Sequence, residues 1–324
     1  MRAEVPQYSG GWVGANHERG HRLRGAKSGT LPTPSVQHGA AVLVIGAGIA
    51  GLAAARALRQ AGVDDVHLFD LEDNAGGNSR SHVMAGMACP LGAHYLPLPG
   101  PHAHEVSEWL HEIGLLKTVL GNTVADERHL CHSPQERLFF EGEWVEGLLP
   151  PAAPGSATLA AYRRFAQAVK AMQPIGFALP SVRAPWTAAH AALDAQTFDV
   201  WLSAQGLSDP HLRWYLDYCC RDDYGADSRA VSAWAGLHYF ASRHGFHAPG
   251  DEAADGTERE GVFTWPEGNA WLVKKLTAPL SAERLHTARK VLRVEENKPA
   301  VSVLALDQRS GAIEAWSAPP IARS

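Results

Sequence analysis

The stretch VLVIGAGIAGLAAARALRQAGVDDVHLFDLEDNAGGNSR, residues 42–80, decides the fold. It opens in an uninterrupted apolar run, Ala41 to Ile45, of the kind that forms a strand buried on both faces of a parallel sheet. Gly46, Gly48 and Gly51 follow in G-x-G-x-x-G spacing, at the head of an alanine-rich segment that predicts a helix from about Ile49 to Ala61. Gly62 is placed to end that helix in the left-handed conformation. A second strand is predicted from Val66 to Asp70. Each glycine has a task in such a strand–turn–helix unit: Gly46 allows the tight turn, Gly48 lets backbone approach a pyrophosphate, and Gly51 lets the helix pack against the strand. Together with Ala47, Ile49 and Ala50 they offer the N–H groups and positive end of a helix to an anion. Asp70, followed by Leu71, ends the second strand where a ribose hydroxyl needs an acceptor. The unit reads as a cradle for a dinucleotide.

The residues after Asp70 choose between two dinucleotides. Gly76 and Gly77 stand six and seven positions beyond the acid, and a second close approach of backbone suits FAD lying extended through the protein rather than NAD. With this pair the pattern resembles the flavin-containing amine oxidase superfamily, which also holds phytoene-desaturase-like and protoporphyrinogen-oxidase-like enzymes. Gly46, Gly48, Gly51, Leu52, Ala55, Asp70, Gly76 and Gly77 match its fingerprint in order and spacing. The resemblance covers about residues 41–308. It places Gly92, Ala93, His94 and Tyr95 of PLGAHYLPLPG beside the flavin ring and the backbone of Val291 at the adenine. It also makes FTWPEGNAWLVKKLTAPL the turn and helix that lead back to the FAD domain, and TFDVWLSAQGL a helix of the substrate domain.

Two departures stand out. The family's Arg after the glycine pair is Asn78 here, with Arg80 the nearest replacement for its charge, and Pro90 stands where the family carries Asp. The resemblance further implies a longer C-terminal portion that continues the FAD site. On that basis the expectation is a shortened member with weak or absent FAD retention by itself.

The rest of the sequence sets limits. At 324 residues, 45% hydrophobic and 19% charged, the chain has the composition of a globular protein with room for two domains. A net charge of −5 disfavours nucleic acid as a partner, because duplex binders carry a basic face. No apolar run reaches the length of a transmembrane helix, and the polar first forty residues do not read as a secretory signal, so a cytoplasmic location is expected. Cys89, Cys131, Cys219 and Cys220 form neither a C-x-x-C pair nor a disulfide framework. His102 with His104, and His244 with His247, lack a ligand spacing, so no metal is expected.

The chain is thus read as α/β: a Rossmann-like FAD-binding domain with a mainly helical substrate-domain insertion. Residues 1–40 are an N-terminal extension, with the proline-marked TLPTPSVQ (30–37) as a linker. Residues 41–104 begin the FAD-binding domain, 105–260 form the helical domain, and 261–324 return to the first. Within the insertion, ATLAAYRRFAQAVKAM places Leu159, Tyr162, Phe165 and Val169 on one helix face. CCRDDYG reads as a helix end with Arg221 paired to Asp222 or Asp223, and Trp201, Trp214 and Trp234 pack in the helical core or line an apolar cavity. GNSRS misses the serine-hydrolase elbow at its last position. KVLRVEENKPAVSVLALD reads as two strands joined near Asn297 to Pro299.

The resemblance implies an FAD-dependent oxidoreductase that takes a hydride from a small-molecule amine and passes electrons to oxygen. No catalytic base is identified. The alternatives are an inactive fragment of a longer oxidase and a non-catalytic binding protein resembling the GDP-dissociation inhibitors.

Overall fold

The computed structural model describes residues 10–25, 33–131, 136–243, 245–251 and 261–319. The chain divides into two compact units, Met1–Leu96 with Thr264–Ser324, and Pro97–Phe263.

The first unit is built on residues 42–80. Val42–Ile45 lies parallel to Val66–Phe69, with Val42 opposite Val66 and Ile45 opposite Phe69. Leu285–His286 joins the other side of Val66–Phe69, also parallel. The middle strand buries Val66, Leu68 and Phe69, which is why its sequence is apolar with little alternation. The connecting helix runs Ile49–Gln60, buries Leu52 and Ala55, and ends before Gly62 at φ +80°. This is the predicted parallel α/β beginning.

A second sheet follows the order Val36–Gly39, Ile313–Ala318, Ala300–Asp307, Arg289–Asn297. Its last two strands are the predicted hairpin, with a register shift between Val291 and Arg293. The linker reading of residues 30–37 is corrected here, although 30–32 lie outside the described residues. Val36–Gly39 is a strand, parallel to Ile313–Ala318 with Val36 opposite Glu314. Its four residues are all exposed, so it carries no alternation that a sequence reading could detect. The extension also holds a helix, His17–Gly25, whose start is capped by Asn16 Oδ1 accepting from the Glu18 and Arg19 amides.

Both sheets contribute to one core cluster, made by Ala40, Phe69, Val303, Ala305 and Trp316. Histidines surround it: His38 stacks on Trp316 at 4.2 Å between ring centroids, and His67 and His286 lie within 5 Å of the same ring. Arg284 contacts both Asp65 and Nε2 of His67. A guanidinium has only protons to give, so His67 Nε2 is the acceptor and its Nδ1–H donates to His286 Nε2 at 2.8 Å. The chain of bonds therefore requires both rings to be neutral.

The second unit is mainly helical. Ala157–Met172, Ala188–Asp194, Phe198–Ala204, Pro210–Tyr224 and Ala233–Ala241 surround a core in which Leu159, Tyr162, Phe165 and Val169 are all buried. Ser156, Thr197, Asp209 and Ser232 cap four of these helices through their side-chain oxygens. Trp201 is buried, whereas Trp214 is 41% exposed. Cys219 and Cys220 are buried near the end of Pro210–Tyr224, and Gly225 ends that helix at φ +67°. The expected pairing of Arg221 is corrected: Asp223 is bound by Arg243 at 3.0 Å, which reaches it from beyond the next helix. Two hairpins, Leu116–Val119 with Asn122–Ala125 and Arg137–Phe140 with Glu143–Glu146, precede the helices.

His244 and most of the acidic stretch 248–261, namely 252–260, lie outside the described residues. Among the described residues no group of three or more His, Cys, Asp or Glu side chains could hold a metal, and no helix is long and apolar enough to cross a membrane.

Candidate dinucleotide site

The two glycine segments meet in the first unit. Gly46 turns the chain at φ +103°, a conformation that an L side chain adopts only with strain. A Cβ on Gly51 would lie 1.9 Å from the Gly46 carbonyl oxygen and 3.2 Å from Val44 Cγ1, so only glycine lets the helix approach the strand this closely. Gly48 is the N-cap of Ile49–Gln60, with no side-chain cap and no acidic residue in the first turn. The first N–H groups of that helix are therefore left for an anion.

Gly76 and Gly77 close against this turn. The Gly76 amide donates to the Ala47 carbonyl at 2.8 Å, and Gly48 and Gly76 form an isolated parallel bridge. A Cβ on Gly77 would stand 3.3 Å from Gly48 Cα, so the walls of the cradle touch backbone to backbone. Asp70 lies half-buried beneath them. Its Oδ2 accepts from the Ala47 amide and its Oδ1 from the Glu72 amide, each at 2.9 Å. The backbone of Asp70 to Glu72 in turn bonds to residues 286–289. Val291 follows two positions on, paired with Ala305 and packed at the margin of the core cluster that holds Phe69.

The next segment is equally constrained. Asn78, which stands where the resemblance implies an arginine, presses its carbonyl and side chain on Gly92, where a Cβ would come within 2.5 Å of both oxygens. The Ala93 amide donates to the Asn78 carbonyl at 2.9 Å, and the Leu91 amide to Arg80. His94 and Tyr95 are exposed, their rings edge to face at 4.8 Å. Arg80 donates to the Gly77 carbonyl at 2.9 Å and pairs with Glu72 at 3.6 Å, so its charge is shared with a carboxylate. The structure thus brings Gly46 through Gly51, Asp70, Leu71, Gly76, Gly77, Asn78 and Arg80 together. Gly92 and Ala93 are tied to that group through Asn78.

Three participants escaped the sequence reading. Glu72 receives the Asn16 amide at 3.1 Å and lies 3.7 Å from Arg19. Arg19 and Gln308 both donate to the Leu71 carbonyl. A shallow polar cleft of about 290 Å³ opens beside them, lined by Arg19, Lys290, Asp307 and Gln308 among others. The doubled acid Glu72-Asp73 was the available signal, but its partner Arg19 sits in a segment with no apolar periodicity.

The residues present fit a dinucleotide: a turn that tolerates no side chain, an uncapped helix start, and an acid at the strand end. Comparison with known proteins agrees. Residues 44–113 match the family model of the NAD(P)-binding Rossmann-like domain. A Baeyer-Villiger monooxygenase of Pseudomonas aeruginosa is 30% identical over 142 residues, covering 37% of this chain and 27% of its own. A putrescine oxidase solved with putrescine superimposes with a TM-score of 0.63 at 21% identity, covering 87% of this chain and 57% of that one. Cyclohexylamine oxidase from Brevibacterium oxydans gives 0.56 at 20% identity, covering 86% and 56%. The chain spans about a quarter of the curated relative and somewhat over half of each solved structure. Residues 44–113 thus match a Rossmann-like nucleotide-binding domain, and most of the chain shares the fold of these two amine oxidases.

Proposed function

We propose that this chain binds FAD and belongs to an oxidoreductase that oxidises a small-molecule amine. The observation that carries the reading is the closure of Gly76-Gly77 on Gly48 over the Asp70 carboxylate. An extended dinucleotide needs both backbone approaches, and a nicotinamide cofactor needs only the first. The amine oxidases that share the fold support the substrate class.

In this reading Gly46 to Gly51 and the start of the helix Ile49–Gln60 hold the pyrophosphate through backbone N–H groups. Asp70 keeps lone pairs for the ribose hydroxyls while binding Ala47 and Glu72, and Val291 offers backbone to the adenine. Gly92, Ala93, His94 and Tyr95 flank the ring. The chemistry FAD would supply is acceptance of a hydride from the carbon beside the amine nitrogen, with oxygen as the final acceptor. The protein's share is orientation and exclusion of water, and neither requires a named base.

The test is titration of the purified chain with FAD, followed by removal of free flavin and an anaerobic challenge with primary and secondary amines. Retained flavin absorbance that amines bleach, with hydrogen peroxide released on return of air, is the expected result. A titration that shows no saturable change in the flavin spectrum overturns the cofactor. Bound flavin that no amine bleaches overturns the substrate class.

A further inference from the structure

The polar group that nothing in the cradle explains is Asn269. It precedes the helix Ala270–Thr277 and is 9% exposed. Its backbone amide donates to the Ala93 carbonyl at 3.1 Å, and its Nδ2 donates to the Tyr95 carbonyl at 2.9 Å. The second bond fixes which way the carboxamide lies. Flipped, it would set Oδ1 against the Tyr95 oxygen, acceptor against acceptor. In the observed orientation Oδ1 is buried and has no hydrogen-bond partner.

The neighbouring turn is closely packed. Gly268 has φ +62°, and a Cβ there would come within 2.6 Å of Pro90, 2.9 Å of the Ala93 oxygen and 3.0 Å of His94 Cα. The turn is thus pressed on the segment that Asn269 grips. A buried acceptor with no donor carries a desolvation penalty that native proteins seldom leave standing. Whatever relieves it must give a proton, which a pyrophosphate at neutral pH and the carbonyl edges of a flavin cannot do. The oxidised flavin ring has one N–H, its imide at N3.

We propose that Asn269 is a cofactor-binding residue whose Oδ1 accepts a hydrogen bond from the imide N–H of bound FAD. This rests on the FAD reading above. It draws the turn before Ala270–Thr277 into the site, through the two carbonyls that bracket His94.

The experiment compares FAD with its N3-methyl analogue on the wild-type chain and on Asn269→Ala. Wild type binds the methylated flavin at least tenfold more weakly than FAD, the equivalent of one hydrogen bond. Asn269→Ala binds FAD about tenfold more weakly than wild type and distinguishes little between the two flavins. The pH at which the bound imide loses its proton, followed by visible absorbance, lies higher in wild type than in the variant. A merely structural Asn269 would lower both affinities together and leave that pH unchanged. Equal affinity of wild type for the two flavins overturns the proposal without calling on any variant. An affinity loss in Asn269→Ala with no methyl discrimination in wild type, as a ribityl hydroxyl donor would give, overturns it too. Absence of FAD binding by wild type overturns the cofactor reading itself, and the role of Asn269 with it.

Discussion

The Ala47 amide donates to Oδ2 of Asp70 at 2.9 Å, so the carboxylate at the end of one strand holds the glycine turn at the end of its neighbour. The acid is therefore structural before any ligand arrives. Asp70→Ala leaves the Ala47 and Glu72 amides without an acceptor and is expected to cost about 2 kcal/mol. Thermal unfolding of the protein without cofactor should fall by several degrees. Asp70→Asn, which keeps one of the two acceptors, should fall between. An unchanged melting temperature in Asp70→Ala would mean that water replaces the carboxylate at no cost.

Gly51→Ala tests the packing of helix on strand. The new methyl meets the Gly46 carbonyl at 1.9 Å, and backbone on both sides must separate. A loss of about 3 kcal/mol or failure to fold is expected. Gly20→Ala, in His17–Gly25 with nothing within 4 Å, should instead be neutral or gain up to about 1 kcal/mol. Urea midpoints for the two variants should move in opposite directions or differ widely. Similar shifts would contradict the close approach.

The histidine pair makes stability depend on pH. Burial first, and then the neighbouring His67 ring and the Arg289 guanidinium, holds His286 down to about 4, while burial and Arg284 hold His67 below its ordinary value. His38 faces the same group, and Asp65 opposes the trend at His67. A folded value below the unfolded one of about 6.5 means that the unfolded chain binds more protons between those limits. Stability from this pair is complete above pH 6.5 and is lost as the pH falls towards 4. Melting temperature measured across that range should decline in wild type and decline less steeply in His286→Phe. Parallel profiles would show that other groups govern the acid transition.

Thiol reactivity should divide in two. Burial is the main cause that pushes Cys219 and Cys220 up to about 12, leaving almost no thiolate at neutral pH. Cys89 and Cys131 are only half-buried. Two thiols should react with a disulfide reagent in the native protein and four after unfolding, the fast pair mapping by mass spectrometry to Cys89 and Cys131. Early labelling at Cys219 would place the Pro210–Tyr224 helix end in an opened state.

The parallel unit was legible because its constraints are local and chemical. Gly46 and Gly51 are needed where they stand, and the apolar run beside them is the expected strand, but it lies at the sheet edge with Ile45 51% exposed, so the reading of a strand buried on both faces is corrected. The helix Ala157–Met172 was equally plain, since four apolar side chains repeat on one face and a serine caps it. The hairpins before it were missed. Their turns pair a left-handed Leu120 with Gly121 and Glu141 with Gly142, and neither residue announces a tight turn as asparagine or aspartate does. Asn269 was passed over for another reason. A carboxamide in a turn is ordinary in a sequence, and only its donation to the Tyr95 carbonyl reveals the acceptor left behind.

The strand Val36–Gly39 pairs with Ile313–Ala318, and Val66–Phe69 with Leu285–His286, across more than two hundred residues. A ribosome must therefore finish the whole helical unit before these early strands meet their partners. At about 5–20 residues per second the wait is on the order of ten to fifty-five seconds. The helical unit, with its own core, can be complete by then, while Val42–Ile45 and Val66–Phe69 stand ready as an unfinished sheet. Until Leu285–His286 arrives, the outer edge of Val66–Phe69 has no strand beside it, so mispairing during synthesis threatens the nucleotide cradle rather than the helices.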